Sequence, residues 1–573
     1  MLVLNSPVVG CAQSAAKPTP ATSAYERGLA AIRAGDLAKA QTELEQAVKL
    51  SPQNADMQLA LGRVLLQKGD ISRAVEHLQT AVRLKPNSAE AHLSLGQTLS
   101  AGNQADEASA ELKQAAKLSP KDAEPHRALA RLLSAQGKNE DALAEAQLAV
   151  ALAPQSAAAH DELGTLLAQS RQYPEAEKQF HAALQIDPQF QQALFHLGVV
   201  HLNASDIQAA QKDLTTATEL NPNDGRAFFY LGDACQTAGD KERAISAYQR
   251  AATLLPDSPT VQTKLGLMLQ RTTDVEGAAA AFRKVIQLTP NDADAHNNLG
   301  LVLMQRGEGE AAVKEFQEAV RLRQDDPGFL ANLGIAYMQL SDFEAAEQNL
   351  RNAIKMAPDS ASNHYDLALT LKLKDNLPAA MGEMKKAIEL DPKLVDAYYT
   401  YGITLWQQGE FAAAVEQLRK AIALKPDYAE AHYTLGTVLK QMNQLPEAAQ
   451  ELREAIRLQP QFAGAHTTLA AVLRQMGDTA GADAESQLGD TLVKQKIGLQ
   501  GATFATNSGK RMLNAGDIDG AISQFSNAIK LSPTFAQAHY ELAVALSRKG
   551  DKAAAAEEFA KAAELDPKLK PAP

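Results

Sequence analysis

VDAYYTYGITLWQQGEFAAAVEQLRKAIALKPDY, residues 395–428, decides the fold. Its first half carries apolar or small residues at Ala397, Tyr401, Gly402, Ile403 and Leu405, the spacing of one helix face. Gly409 interrupts the run. The second half sets Ala413, Ala414, Val415, Leu418, Ala421, Ile422 and Leu424 on another helical stripe. Pro426 then ends it, because proline has no N–H to give and restricts the residue before it. The stretch predicts two helices of about fourteen residues each, joined by a tight turn.

The same pattern extends outward from this stretch at a period of 34 residues. Proline recurs at Pro52, Pro86, Pro120, Pro154, Pro188, Pro222, Pro256 and Pro290, and in register again at Pro358, Pro392, Pro426 and Pro460. Sixteen repeats align, each with Gly or Ala at the eighth position and Ala at the twentieth, from Ala40 to Ala555. Helices cross closely only where facing side chains are small, and packed interiors tolerate little volume error. Leucine precedes the eighth position in thirteen repeats, with Arg27, Tyr401 and Ser508 the exceptions. A fixed period of this size predicts a solenoid in which each repeat buries its apolar face against its neighbours.

The turns agree. Gly-Asp pairs such as Gly35-Asp36, Gly239-Asp240 and Gly550-Asp551 supply a left-handed residue to end one helix and a cap to start the next. Asn54, Ser88, Asp122, Ser156 and Asp224 are placed to cap first helices. Leu394, Tyr428, Phe462 and Phe535 replace them later, so those loops are expected to bury an apolar side chain.

The pattern resembles the tetratricopeptide repeat, with its Leu-Gly pair, alanines at twenty and twenty-seven and proline at thirty-two. AEAHYTLGTVLKQMNQLPEAAQELREAIRLQPQF, residues 429–462, carries it through Leu435, Gly436, Ala448, Ala455 and Pro460. The resemblance covers residues 21–569. It implies an all-α, right-handed α-solenoid of about sixteen helix-turn-helix repeats. It also implies a concave groove lined by first-helix positions two, five, nine, twelve and thirteen, with a protein or peptide partner in it.

Composition narrows the function. A net charge of −12 and a pI near 5.6 argue against a nucleic-acid groove, which needs a basic stripe. The related helical repeats that read RNA have a 35-residue period, not 34. Cys235 falls on an apolar helix face as a small hydrophobe, and no metal site or cofactor motif is readable. Eight of the twelve histidines share the fourth position: His92, His126, His160, His296, His364, His432, His466 and His539. They read as half-buried packing residues, one repeat apart. His196 and His201 are five apart and do not share a helix face. No HExxH, GxSxG or CxxC occurs, and Ser508-Gly509-Lys510-Arg511 lacks the other residues of a phosphate loop. The chain reads as a non-enzyme.

Residues 1–20 read as a leader and tether. Val8-Val9-Gly10-Cys11 resembles a lipobox, in which Cys11 carries the lipid and the protein is periplasmic or anchored to the outer membrane. Two alternatives stand beside it: cleavage after Ala12 with soluble export, and an unprocessed cytoplasmic protein. Membrane association is expected only through that N-terminal lipid. A main array then spans residues 21–484. Residues 485–501 form an irregular extended-helix linker, because no proline stands at 494 and five extra residues pass before Ala502. Leu488, Leu492 and Val493 are expected to pack along one face of it. Two C-terminal repeats occupy 502–569 and a tail 570–573. A milder fault moves a proline from Gln324 to Pro327.

The candidate binding residues cluster. Tyr365, Tyr399 and Tyr433 recur at position five, and the only tryptophan, Trp406, falls at position twelve between Lys372 and Lys440. Gln407 and Gln441 stand at position thirteen, and Phe195 and Phe229 form a second cluster at position five. Aromatic anchors beside amides suit an extended peptide. The expected function is a non-catalytic scaffold for protein–protein interaction in an exported or envelope-associated bacterial complex. The alternative is the substrate-recruiting arm of an O-GlcNAc-type glycosyltransferase. Such arms carry asparagine at position six, and here only Asn298, Asn332 and Asn507 match.

Overall fold

A computed structural model of the chain describes residues 19–569. Cys11 and the leader lie outside them. Thirty-one helices and no strand occur among the described residues. First helices such as Val395–Gln407 run 13 residues and second helices such as Phe411–Leu424 run 14. Sixteen pairs use thirty-one helices because one helix, Thr479–Asn514, serves two repeats. The chain divides into two compact halves, one ending at Pro290 and the other beginning at Asn291.

Within each half the core follows the repeat. The twentieth-position alanines are buried throughout, as at Ala74, Ala210, Ala312 and Ala448. The eighth residue meets the twenty-fourth across the helix pair. A Cβ on Gly62 would stand 2.6 Å from Leu78, and one on Gly266 2.9 Å from the Phe282 ring. Glycine there is a condition of close approach, since the facing side chains have no exposed surface.

Each turn uses one left-handed residue. Nine are glycines, including Gly35 and Gly409, and seven are not, among them Asn103, Arg171, Thr273 and Asp375. Asp36, Asp206 and Asp342 cap the helices that follow by accepting an N–H from three residues on.

The fourth-position histidines do more than pack. Nδ1 of His92, His126, His296, His364, His432, His466 and His539 lies 2.5–2.7 Å from a glutamate nineteen residues on. His160 meets Gln179 in the same way. In His92, His160, His364, His432, His466 and His539, Nε2 also lies within 3.2 Å of the carbonyl of the proline six residues back. Each of those six imidazoles joins a first helix to its second helix and to the preceding loop.

The long helix Thr479–Asn514 belongs to the second half. Leu488 is 51% and Val493 41% exposed, so the packing face expected of them is not formed. In its middle stretch the helix makes close contacts through glycines, while Ala482, Ala502, Ala505 and Leu513 are buried towards its two ends. Gly489 leaves no room for a Cβ beside Thr467, and Gly498 none beside the Leu531 carbonyl. A cleft of about 840 Å³ borders this stretch, lined by Phe462, Leu492, Leu499, Leu531 and Phe535 among others.

Candidate functional site

One side-chain link between consecutive first helices recurs: position five of a repeat meets position six of the next. In the second half, Tyr365 Oη lies 3.1 Å from Thr400 Oγ1 and Tyr399 Oη 3.4 Å from Thr434 Oγ1. Asn332 donates to Asn297 at 2.8 Å. In the first half, Arg127 donates to Glu162 at 2.8 Å, and His196 Nδ1 lies 2.8 Å from Asp161. The spacing Tyr365–Thr400 recurs as Tyr399–Thr434 and is readable in the sequence once the rule is known.

The tyrosine rings are half-buried and partly sandwiched. Tyr399 packs at a tilt against Tyr428 with centroids 4.8 Å apart, and Tyr433 against Phe462 at 4.7 Å. Tyr428 and Phe462, expected to be buried in their loops, are half-buried against the candidate tyrosines. Trp406 is half-buried, and its indole N–H donates to Gln441 Oε1 at 2.7 Å. Gln407 turns the other way. With Lys372, Leu369 and Met338 it borders a depression of about 560 Å³. Trp406 and Gln441 are thus brought together, while Gln407 joins the preceding repeat.

Burial shapes the electrostatics of this row. It pushes the Asp366 carboxyl up to about 6 and the Lys372 ammonium down. Burial also raises the Tyr365 hydroxyl, and the Asp396 and Asp366 carboxylates add to that while the Thr400 hydrogen bond opposes it. Tyr399 is raised by burial, with Glu430 contributing. Asp366, Asp396 and Glu430 escaped the sequence reading, which followed aromatics alone.

Phe195 and Phe229 are placed differently. Phe195 is only 6% exposed, covered by the Arg226 guanidinium at 5.3 Å and packed on Tyr230. Phe229 is half-buried against Tyr230 and Tyr248. Tyr248 is fully buried, with its hydroxyl 2.5 Å from Asp233 and 2.8 Å from Gln236. Burial first, then the Asp233 contact, push that hydroxyl far above the usual phenol range. Phe195 and Tyr248 are thus core, while Phe229 is half-buried like the three tyrosines. Among the described residues no group of His, Cys, Asp and Glu is arranged to hold a metal, and no helix is long and apolar enough to cross a membrane.

Helix pairs stacked at a 34-residue period, with a side-chain row along their first helices, define a helical-repeat solenoid. Tetratricopeptide repeat models match residues 25–89, 332–394 and 507–569, with others at 65–132, 157–190, 404–443 and 429–462. The model of the cytochrome c-type biogenesis protein H TPR domain matches residues 178–329. The chain belongs to the tetratricopeptide repeat family. No curated protein sequence matches it. Solved structures similar to it include the Cut9–Hcn1 hetero-tetramer of the APC/C, at 14% identity and TM-score 0.37, covering 79% of this chain and 96% of that one. PilF of Pseudomonas aeruginosa is 20% identical with TM-score 0.33, covering 35% and 92%. YrrB, described as a TPR protein with an unusual peptide-binding site, is 23% identical with TM-score 0.28, covering 33% and 97%. The family fold is a scaffold that generally binds peptide or protein partners.

Proposed function

We propose that this chain is a non-catalytic scaffold whose first-helix row from Tyr365 to Gln441 takes an extended segment of a partner protein. The observation that carries the reading is Trp406. Its only donor is engaged by Gln441, so the ring is held as a half-exposed platform. Tyr365, Tyr399 and Tyr433 stand at one repeat position in the same three repeats, their rings half-exposed and the first two hydroxyls engaged. Rigid aromatics lose little entropy when they are covered, which is why Trp and Tyr dominate interface hot spots. Crosslinked capture from the native organism would supply the partner. Trp406→Ala or Tyr399→Ala should then each weaken binding by about 1–3 kcal/mol with helicity retained. Unchanged affinity in the double variant places the site elsewhere.

The setting we propose is an exported or envelope-associated complex, on the strength of the Val8-Val9-Gly10-Cys11 segment. Mass spectrometry of the native protein should find a mature start at Cys11 or after Ala12. An intact Met1 on cytoplasmic material rejects this.

A further inference from the structure

The aromatic row differs from the equivalent positions elsewhere in how its charges are paired. Position two carries a carboxylate in many repeats, and that carboxylate usually has a cation. Lys85 lies 2.6 Å from Asp56, Arg63 2.5 Å from Glu90 and Arg323 2.7 Å from Asp294. At position six, Glu162 is held by Arg127 and Arg131 at 2.8 and 3.0 Å. In the tyrosine repeats the carboxylates are Asp366 at position six and Asp396 and Glu430 at position two. Among the described residues no Lys, Arg or His pairs with any of the three.

The cause is visible. Lys85 and Arg323 are the thirty-first residues of their repeats, and Lys425 holds that place beside Asp396. Its ammonium lies over the Tyr428 ring instead, 4.7 Å from the centroid. For Glu430 the same place is Gln459, which has no charge to offer. Tyr365, next to Asp366, reaches Thr400, one helical turn from Asp396, and Tyr399 reaches Thr434, whose hydroxyl bonds the Glu430 carbonyl, so the carboxylates and rings share one surface. Lys372 and Lys440 do not neutralise them. Lys440 stands ten residues beyond Glu430, about 15 Å along the first helix at 1.5 Å per residue, and Lys372 stands six residues, about 9 Å, beyond Asp366 and makes no ion pair with it. The first separation is well beyond, and the second about equal to, the screening length of about 8 Å at physiological salt.

We infer that the segment accepted by this row is basic: an extended peptide whose lysine or arginine side chains reach Asp366, Asp396 and Glu430 while their aliphatic stems lie on Tyr365 and Tyr399. The inference rests on the peptide-binding reading above and adds the charge of the occupant. The row supplies flat apolar surface and carboxylates without an ion-pair partner together, which long cationic side chains match at both ends. A neutral or acidic segment would leave the carboxylates facing no partner.

The test uses the full chain and labelled peptides of about twelve residues, long enough to cross the three repeats at about 3.3 Å per residue. Alternate positions carry Lys or Arg in one series, Gln in a second and Glu in a third. The basic series should bind best, and its affinity should fall on raising salt from about 50 to about 500 mM. The combined Asp366→Asn, Asp396→Asn, Glu430→Gln variant should weaken it about tenfold or more. An equal charge change at paired carboxylates, Asp56→Asn, Glu90→Gln and Asp294→Asn, should leave it unaltered. Equal binding of the Gln or Glu series, or an unaffected triple variant, overturns the basic occupant. If binding then still falls in Trp406→Ala, the aromatic row remains the site. Loss of affinity in both triple variants alike marks diffuse attraction and also overturns the inference. Failure of all three series to bind, or indifference to both the charge and aromatic variants, overturns the two readings together.

Discussion

Replacing Gly300 by alanine would drive a methyl group into the ring of Phe316. Its Cβ would stand 2.6 Å from Cε1 and 2.8 Å from Cδ1 and Cζ, where ordinary contact is nearer 3.5 Å. Phe316 has no exposed surface, so its ring cannot swing into water. Two effects oppose each other. Alanine is the better helix former by about 1 kcal/mol, and overpacking a tight core costs about 1–3 kcal/mol. The net expectation for Gly300→Ala is a loss of up to about 2 kcal/mol. Two of the repeats with alanine at position eight show the remedy. Ala130 shares its core cluster with small Ala146, and Ala368 shares its cluster with flexible Met384. In a Phe316→Met background the same alanine should be neutral or stabilising, so the two changes should couple by about 1–2 kcal/mol. Repeat arrays open locally, so the assay is hydrogen exchange read over the helices Ala293–Gln305 and Gly309–Leu322. If Gly300→Ala shifts protection equally in both backgrounds, the pairing of positions eight and twenty-four is not what selects glycine.

Four further outcomes follow from the structure. His432→Ala removes contacts to Glu451 at 2.6 Å and to the Pro426 carbonyl at 3.2 Å, and should cost about 2–3 kcal/mol. Unchanged exchange in the loop after Lys425 would show that the imidazole is not a link. Asp366 holds its proton more tightly when folded, at about 6 against about 3.9 unfolded, so its folding contribution weakens as pH rises between those values. Asp366→Asn should therefore add about 1–2 kcal/mol at pH about 7.5 and nothing at about 4, and equal gains at both refute the burial argument. A basic peptide should in turn bind more tightly as pH rises through about 6, where that carboxyl ionises. Gly498→Ala would set a methyl group on the Leu531 carbonyl oxygen, backbone that cannot turn aside, so the helix Ile518–Leu531 should lose exchange protection. Full protection in that variant would show that the long helix does not depend on this contact.

The helix pairs were legible because their determinants act locally. The eighth, twentieth and thirty-second residues of a repeat do their work within one pair or against its neighbour, and the period exposes them. Turns without glycine kept the register all the same. Arg171 and Thr273 take left-handed backbone, as Gly35 does, because packing of the flanking helices leaves the chain no other path. The histidines were legible only in part. Their spacing showed a shared position, but the glutamate nineteen residues on lies across a turn and is invisible to a helical-face pattern. Leu488 and Val493 misled for a related reason. Periodicity marks apolar residues as inward-facing, whereas here Gly489 and Gly498 make the close approach and the larger side chains are left outside.

The candidate site divides along the same line. A repeat fixes where a side chain recurs, so Tyr365, Tyr399 and Tyr433 could be found by counting. Whether such a row packs or binds depends on what its neighbours leave unsatisfied, and that varies between repeats of one pattern. Phe195 and Tyr399 hold the same position, yet one is covered by Arg226 and the other keeps part of its ring exposed. Asp56 and Asp396 also hold the same position. Lys85 neutralises the first, while Lys425, identical in type and place, is drawn onto Tyr428 and leaves the second bare. One aromatic substitution in a loop has thereby changed the charge of the surface beside it. The functional difference between repeats lies in such reassignments of partners, which a single-residue pattern does not record and which the geometry of the row makes explicit.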